Sequence, residues 1–497
     1  MSGAPQLLIR ADGGPEIGLG HVMRCLALAQ ACVEAGGGAR LMTHSLPESV
    51  RKRFEMERVP VHLLQSEVPG SDADAAETVA LGKGQYYSWI VADGYCFGTQ
   101  YQDLLKRSGA RLLLIDDNSN AGEYCADAIL NQNVHAREAM YSGRQPHAQL
   151  LLGPTYALLR REFRQWLRWK RPERPEASNV LVAMGGSDPR GLTHTAIAAL
   201  AALRRPDLHV QVAIGAQNRH VNEIRAEAAR ARFAVEVDVP EIPALMAWAD
   251  IAIAAAGTTT WELAYMQLPA VLVAAAENQR PIAEELDRRG SAIYVNGPPS
   301  ILAGELAREV ASLLSDAGRR AAMARAGRVL VDGLGAERVI AAITDLRLRP
   351  ATADDSRAIW EVAIEPSVRA MSFSSAPIEW STHQVWFRAK LQDRDCALYV
   401  VENGAGHLGQ VRFEIASSEA TLSVALRPEH RSRGIGTSTL IAACKQFFST
   451  HGAARVHAYI RPNNEASFRA FSKAGFREVG TTTVKEQPAR HFVLERP

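Results

Sequence analysis

The chain has 497 residues, of which 47% are hydrophobic and 22% charged. One hydrophobic core cannot hold that length, because single cores stop growing at about 250–300 residues, so two to four domains are expected. The formal net charge of +2 excludes a general nucleic-acid or membrane-surface binder. The six cysteines, Cys25, Cys32, Cys96, Cys125, Cys396 and Cys444, form neither a C-x-x-C pair nor a zinc-finger spacing, and read as reduced thiols of a cytoplasmic protein. The opening MSGAPQLLIRADGG lacks the basic start and long apolar stretch of a signal peptide. No run of about 18 apolar residues suggests a membrane span.

Short apolar strands alternate with Ala/Leu-rich helical stretches from residue 6 to about 345. Strands are predicted over 6–10, 39–43, 89–93 and 111–116. A charged stretch over 160–174 then ends in RPERPEAS, which reads as a linker or hinge. A second set of strands is predicted over 179–184, 210–214, 234–237, 251–255 and 270–273, with helices such as 193–203 and 282–289 between them. This alternation predicts parallel sheets covered by helices on both faces, in two Rossmann-like lobes with a ligand cleft at the strands' carboxyl ends. From about residue 347 the pattern changes to a mixed α+β domain, with strands predicted over 398–402, 408–414, 420–426 and 455–460. The boundaries expected are 1–165, 175–345 and 347–497.

The first strand runs into IRADGGPEIGLGHVMRCLALAQA. Gly13, Gly14, Gly18 and Gly20 permit tight turns and close approach of a ligand. Val22, Leu26 and Ala29 follow at helical spacing, so a helix should start near His21. The helix's positive end should keep that imidazole neutral, as a general base requires, and its free N–H groups can receive phosphate. A structural turn with a surface histidine is the alternative.

In the second lobe, the strand over 179–184 leads into Gly185, Gly186, Ser187, Asp188 and Pro189. Farther on, Gly257, Thr258, Thr259 and Thr260 lie between a strand and a helix, suited to a pyrophosphate. Glu262, five residues after Gly257, can accept both ribose hydroxyls of a nucleotide. Glu277, Asn278 and Gln279 end the next strand and should face the cleft. Plain helix capping for Thr258 and Thr259, and a solvated helix face for Glu262, are the alternatives. Asp116 and Asp117 are adjacent, so they read as loop or cap residues.

From about 6 to 340 the sequence resembles the UDP-sugar hydrolase family of pseudaminic acid biosynthesis. The resemblance rests on IRADGGPEIGLGHVMRCLALA, VADGY (91–95), IDD (115–117), GPTYALLRREF (153–163), GGSDP (185–189) and GTTTWELAYMQLP (257–269). It implies a GT-B fold, similar to the peptidoglycan N-acetylglucosaminyltransferase. It also implies inverting hydrolysis of UDP-2,4-diacetamido-2,4,6-trideoxy-β-L-altropyranose. It places catalytic roles on His21, Tyr95 and Asn278, and substrate contacts on Gly18, Gly20, Gly186, Ser187, Gly257, Thr258, Thr259 and Glu262, without a metal.

In the last domain, RPEHRSRGIGTSTLIAACKQF opens a helix after the strand over 420–426. Arg431, Arg433, Gly434, Ile435, Gly436 and Thr437 make an anion site of backbone N–H groups, helix dipole and charge. A basic turn is the alternative. With RPNNEASFRAFSKAGFREVG downstream, the region resembles the GNAT acetyltransferases. That implies acetyl-CoA as cosubstrate, held by these residues with Asn464, Lys473, Gly475 and Phe476. Phe471 stands where many members carry a tyrosine acid, and no glutamate falls on 420–426 as a base; Glu414 and His430 are the candidates for proton transfer.

The combined reading is a bifunctional enzyme. The GNAT domain acetylates the 4-amino group of a UDP-amino sugar, and the two lobes hydrolyse the product. A true glycosyltransferase, a non-enzymatic sensor and a related diamino-sugar enzyme are the alternatives. The oligomeric state leaves no trace in the sequence.

Overall fold

The structure, a computed structural model, describes residues 5–14, 17–84, 87–215, 217–344, 346–374, 376–403, 406–431 and 435–496. The chain divides into two compact units, one of residues 6–30 and 39–336, the other mainly of residues 337–497. Among the described residues no helix is long and apolar enough to cross a membrane.

The first unit holds two sheets. The strands of the first are β1 (Gln6–Ala11), β2 (Gly38–Thr43), β3 (Val61–Leu63), β4 (Trp89–Asp93), β5 (Arg111–Ile115), β6 (Ala128–Asn131) and β7 (Gln149–Leu152), in the order β3-β2-β1-β4-β5-β6-β7. Its central pairs, β1 with β4 and β4 with β5, are parallel. The second sheet has β8 (Asn179–Ala183), β9 (His209–Ile214), β10 (Ala234–Val237), β11 (Ile251–Ala255), β12 (Ala270–Val273) and β13 (Ile293–Tyr294), in the order β10-β9-β8-β11-β12-β13, parallel throughout. Every residue of WIVAD, NVLVA and IAIAA is buried. Strands covered on both faces read as unbroken apolar runs, which is why these three were legible.

Each sheet reverses its winding once, between β1 and β4 in the first and between β8 and β11 in the second. Neighbouring loops part at such a switch point and leave a crevice at the carboxyl ends of the strands. The glycine loop follows β1 and Tyr95 follows β4. The Gly185–Pro189 turn follows β8 and Gly257–Thr259 follows β11. Fold topology alone therefore gathers the predicted residues.

Several predicted ends move. The strand predicted over 111–116 stops at Ile115, because the Asp116 carboxylate turns to accept from the backbone N–H groups of Asn118 and Ser119 (2.9 and 3.0 Å) and from the Tyr124 hydroxyl (2.9 Å). The stretch predicted as a free hinge is anchored. Arg161–Trp166 forms a 3-10 turn whose Phe163 is buried against Tyr265. The Arg171 guanidinium donates to the carbonyls of Ala249, Met246 and Met266. Only 167–178 of that stretch runs without helix or strand. The three- or four-residue strands β3, β6 and β7 were not predicted; they are too short to carry a period.

The second unit holds β14 (Arg347–Pro350), β15 (Cys396–Asn403), β16 (Gly406–Ala416), β17 (Glu419–Leu426), β18 (Arg455–Ile460), β19 (Arg477–Val484) and β20 (Gln487–Glu495), in the order β14-β15-β16-β17-β18-β20-β19. Its pairs are antiparallel except β17 with β18. That parallel pair joins Glu419, Ala420 and Thr421 to Arg455, Val456 and His457 and then stops, although both strands continue. Their inner edges splay apart from there on. The helix Ile435–Thr450 packs its Phe447 flat against Phe413 of β16, at 4.1 Å between ring centroids. The other face of β15 is covered by the helices Ser356–Ile364 and Trp380–Gln392 through Ile359 and Phe387.

Candidate active site

His21 is the second residue of the helix Gly20–Glu34, as the apolar spacing predicts. Gly18 adopts φ +74 and pairs its backbone with Gly14, a turn that only glycine makes without strain. A Cβ on Gly20 would meet the Thr258 hydroxyl of the opposite lobe at 3.4 Å. The loop thus brings the helix start close against the second lobe.

The ring is held by a partner that the sequence did not reveal. His21 Nδ1 lies 2.6 Å from the Asp93 carboxylate at the end of β4. Arg24, one helical turn on, donates to both oxygens of Asp93 (2.7 and 2.6 Å) and to Asp117 (2.7 Å). Burial opposes ionisation of Asp93, but Arg24 and His21 outweigh it and hold the carboxyl far below the usual carboxylate range. An Nδ1 lone pair facing that anion would be repelled, so Nδ1 carries the proton and donates. Nε2 is left as the acceptor. The ring's orientation is set by this buried carboxylate, which stands beside the helix start that the sequence pointed to.

Across the cleft, Asn278 Nδ2 donates to the Tyr95 hydroxyl at 2.8 Å. Tyr95 also sets its ring edge-on to His21, with centroids 4.8 Å apart. Desolvation, with Asp117 adding, pushes the Tyr95 phenol up to about 12. The hydroxyl accepts from Asn278 and so has its own proton to donate. The structure brings His21, Tyr95 and Asn278 together in a cleft of about 390 Å³.

The same cleft is lined by Gly186, Ser187, Gly257, Thr258, Thr259 and Glu262. Thr258 precedes the helix Thr259–Tyr265 and makes no capping hydrogen bond, so its hydroxyl is free for the cleft. Asp188 instead caps the helix Leu192–Ala202, accepting from Leu192 and Thr193 N–H (2.9 and 2.8 Å). Glu262 is not on a solvated face. Its Oε1 accepts from Arg160 Nη2 at 2.9 Å, and burial pushes the carboxyl up while Arg160 pulls it down. Arg160 and Asp117 were not foreseen in the cleft. The first stood in the supposed hinge, and the second, read as a loop residue, binds Arg24 and Asn133 (2.7 and 2.8 Å).

In the second unit, Ile435, Gly436 and Thr437 open the helix Ile435–Thr450 as expected. Arg433 and Gly434 lie outside the described residues. Arg431 is pinned rather than open: its Nε and Nη2 donate to the Leu426 carbonyl (2.9 and 2.7 Å), and it pairs with Glu365 and Ser367. The Asn464 side chain caps the helix Glu465–Lys473 by accepting from Ser467 N–H at 3.1 Å, and Lys473 closes that helix. Phe471 is buried edge-on to Phe476. Glu414 pairs with Lys390 and Arg412, and His430 ends the single turn Pro428–His430. The missing glutamate is partly recovered, since β17 begins one residue early, at Glu419.

Among the described residues, donor atoms of His194, His220 and Glu223 lie within 4.8 Å of one another. None of the three lines the cleft.

Residues 180–338 match the Glycosyltransferase family 28 C-terminal domain, and residues 345–477 match the Acetyltransferase (GNAT) domain. The spore coat polysaccharide biosynthesis protein SpsG of Bacillus subtilis is 25% identical over 348 residues, 68% of this chain and 97% of the relative. An uncharacterized protein of Methanocaldococcus jannaschii, MJ1062, is 21% identical over 498 residues, 95% of this chain and 97% of the relative. The UDP-2,4-diacetamido-2,4,6-trideoxy-beta-L-altropyranose hydrolase of Campylobacter jejuni is 27% identical over 190 residues, 38% of this chain and 63% of the relative.

Proposed function

The chain joins a family 28 glycosyltransferase C-terminal domain to a GNAT acetyltransferase domain, and on that premise we propose a two-step enzyme acting on a UDP-linked amino sugar. The last domain acetylates the 4-amino group of the UDP-sugar with acetyl-CoA. The two lobes then hydrolyse UDP-2,4-diacetamido-2,4,6-trideoxy-β-L-altropyranose to UDP and free sugar, with inversion. The domains proposed for these steps are 1–165 and 175–345 for hydrolysis and 347–497 for acetylation. The observation that carries the reading is the meeting of His21, Tyr95 and Asn278 in one cleft. The partial likeness to the Campylobacter hydrolase supports the sugar.

Water is a poor nucleophile and needs a positioned base. His21 Nε2 takes a proton from water as the water oxygen bonds to the anomeric carbon. The bond from that carbon to the diphosphate oxygen breaks, and UDP leaves with the electron pair. Asp93 supports the positive charge that His21 acquires, as a carboxylate does behind any catalytic imidazole. Tyr95 and Asn278 orient water and sugar. Gly18, Gly20, Gly186, Ser187, Gly257, Thr258 and Thr259 line the cleft; in this reading they take the diphosphate, and their N–H groups and hydroxyls stabilise the departing charge. Glu262, aligned by Arg160, keeps Oε2 for the ribose. In the last domain, the residues proposed to hold acetyl-CoA are Arg431, Arg433, Gly434, Ile435, Gly436, Thr437, Asn464 and Lys473.

The test is incubation of the whole chain with UDP-4-amino-4,6-dideoxy-β-L-AltNAc and acetyl-CoA, with products read by mass spectrometry and NMR. Free CoA, UDP and the diacetamido sugar are expected; their absence removes the proposal. His21→Ala should bind UDP yet stop UDP release while acetylation continues. The family 28 match favours one rival, transfer to a sugar acceptor. That rival predicts UDP release only when an acceptor is added.

A further inference from the structure

The acetylation step needs a group to take the amine's proton, and Glu414, one of the residues first considered, is paired with Lys390 and Arg412. The site of that group is set by the splay of β17 and β18. The backbone hydrogen bonds between them end at Thr421 and His457, so from there to Leu426 the facing edges have no strand partner. An extended, amide-bearing arm lying in that gap can pair with both edges, as an added strand does. Its diphosphate end would meet the start of the helix Ile435–Thr450 beyond β17. From Leu426 back to Thr421 is about 17 Å at about 3.3 Å per residue. The reactive end of the arm therefore arrives at His457.

His457 does not stand there alone. Along β18, Val456, Ala458 and Ile460 point into the core beneath the helix Ile435–Thr450, so Arg455, His457 and Tyr459 face the other side of the sheet. His491 of β20 shares that face, with His457 Nδ1 and His491 Nε2 2.8 Å apart. Tyr459 stacks on His491 at 4.8 Å between centroids. On the far side of His457, the Glu419 carboxylate lies 3.1 Å from Nε2, itself flanked by Arg455 at 3.7 Å. A chain of carboxylate, imidazole and imidazole thus lies across β17, β18 and β20 at the closed end of the splay.

The Glu419 carboxylate lies 3.1 Å from His457 Nε2 and favours a proton on that nitrogen by charge, without aligning as a hydrogen bond. His457 Nδ1 is then the acceptor and takes the Nε2–H of His491. The lone pair left over is on His491 Nδ1. We infer that His491 accepts the proton of the amine acetylated in this domain, with His457 and Glu419 as positioning residues behind it. The inference rests on the acetyltransferase reading above and deepens it. The amine nitrogen bonds to the thioester carbonyl carbon and its proton passes to His491 Nδ1. The C–S bond then breaks, and the imidazolium returns the proton to the departing thiolate. This supplies the acid that Phe471 cannot. Burial, with His457 adding, lowers His491 from its usual range while Glu419 raises it, which keeps the free base available at neutral pH.

The experiment uses the full chain with acetyl-CoA and UDP-4-amino-4,6-dideoxy-β-L-AltNAc, reading CoA thiol release from pH 5 to 9. His491→Gln should lower kcat about 100-fold with the KM for acetyl-CoA changed less than about threefold, and should abolish the acid limb of log kcat. His457→Gln, which keeps a cross-strand hydrogen bond, should lower kcat about tenfold and move that limb. A merely structural role would instead shift KM and the melting temperature and leave the limb in place. If both variants keep kcat and the limb, the inference falls and the acetyltransferase reading stands. If the wild-type chain binds CoA but releases none, both fall.

Discussion

Asp93→Asn isolates the contact that the hydrolytic reading needs most. The native carboxylate takes three short bonds, from His21 Nδ1 at 2.6 Å and from Arg24 at 2.7 and 2.6 Å. The substitution keeps the shape and removes the charge. Arg24, with 3% of its side chain exposed, then keeps only Asp117 as an anionic partner. Breaking a buried pair costs about 3–5 kcal/mol, and the surviving partner puts this case near about 3 kcal/mol. For a unit of about 320 residues, at about 2.1 cal/mol/K of unfolding entropy per residue, that lowers the melting temperature by about 4–5 °C. The chemical effect is larger and separable. An amide can present N–H to Nδ1, which moves the imidazole proton to Nε2 and abolishes the base. The equivalent change behind other catalytic histidines lowers kcat about 10⁴-fold, and about 10³- to 10⁴-fold is expected here. UDP release at 25 °C gives kcat, scanning fluorimetry gives the melting temperature, and calorimetry with UDP reads binding, which should be unchanged. A folded Asp93→Asn chain that binds UDP and turns over within about tenfold of wild type would refute the role given to Asp93, since tautomer loss is far larger.

Other expectations are briefer. Arg160→Met should strand the buried Glu262 without its cation and weaken UDP binding about 10- to 100-fold in calorimetry; Glu262→Gln should weaken it similarly, and the double variant should add little if the two act as one unit. Tyr95→Phe should lower kcat about 10- to 100-fold, and because the phenol is pushed up to about 12, the wild-type profile should show no limb from Tyr95 up to pH 10. In the second unit, the hydrogen bond from Arg349 holds Asp355 down to about 2. A depressed carboxylate gives stability that is fully present above its unfolded value of about 4 and lost as pH falls toward 2. Acid unfolding followed by circular dichroism should therefore be steeper between those values in wild type than in Asp355→Asn.

What the sequence disclosed was whatever depends on near neighbours in the chain. The fully buried strands over 89–93, 179–183 and 251–255 announce themselves because their side chains are apolar apart from Asp93 and Asn179, each at a strand end. The start of the helix at His21 follows from spacing within one turn. The alternation of strands and helices predicts two lobes with a ligand cleft at the strands' carboxyl ends, and that cleft gathers His21, Tyr95, Ser187 and Thr258. Sequence spacing fails where the deciding contact is polar and distant. Strand ends such as Ile115 are set by a carboxylate turning to its own backbone, and the stretch after Arg160 looked like a hinge because its charges are local. Its anchors for Arg171, Ala249 and Met266, are 78 and 95 residues farther on.

The same rule explains which groups of the sites stayed hidden. Asp93 meets His21 across 72 positions, Arg160 meets Glu262 across 102, and His457 meets His491 across 34. In each case one member looks ordinary alone: the last residue of a strand, a charge in a basic stretch, or an isolated histidine. Only the fold makes the pair, and the cost of burying one polar group without the other makes the pairing obligatory. The visible motifs therefore mark where ligands approach, and the hidden partners set the protonation state of what meets them. That is why Asp93→Asn and His457→Gln, which each change a partner and not the proposed base, are expected to alter turnover through a proton.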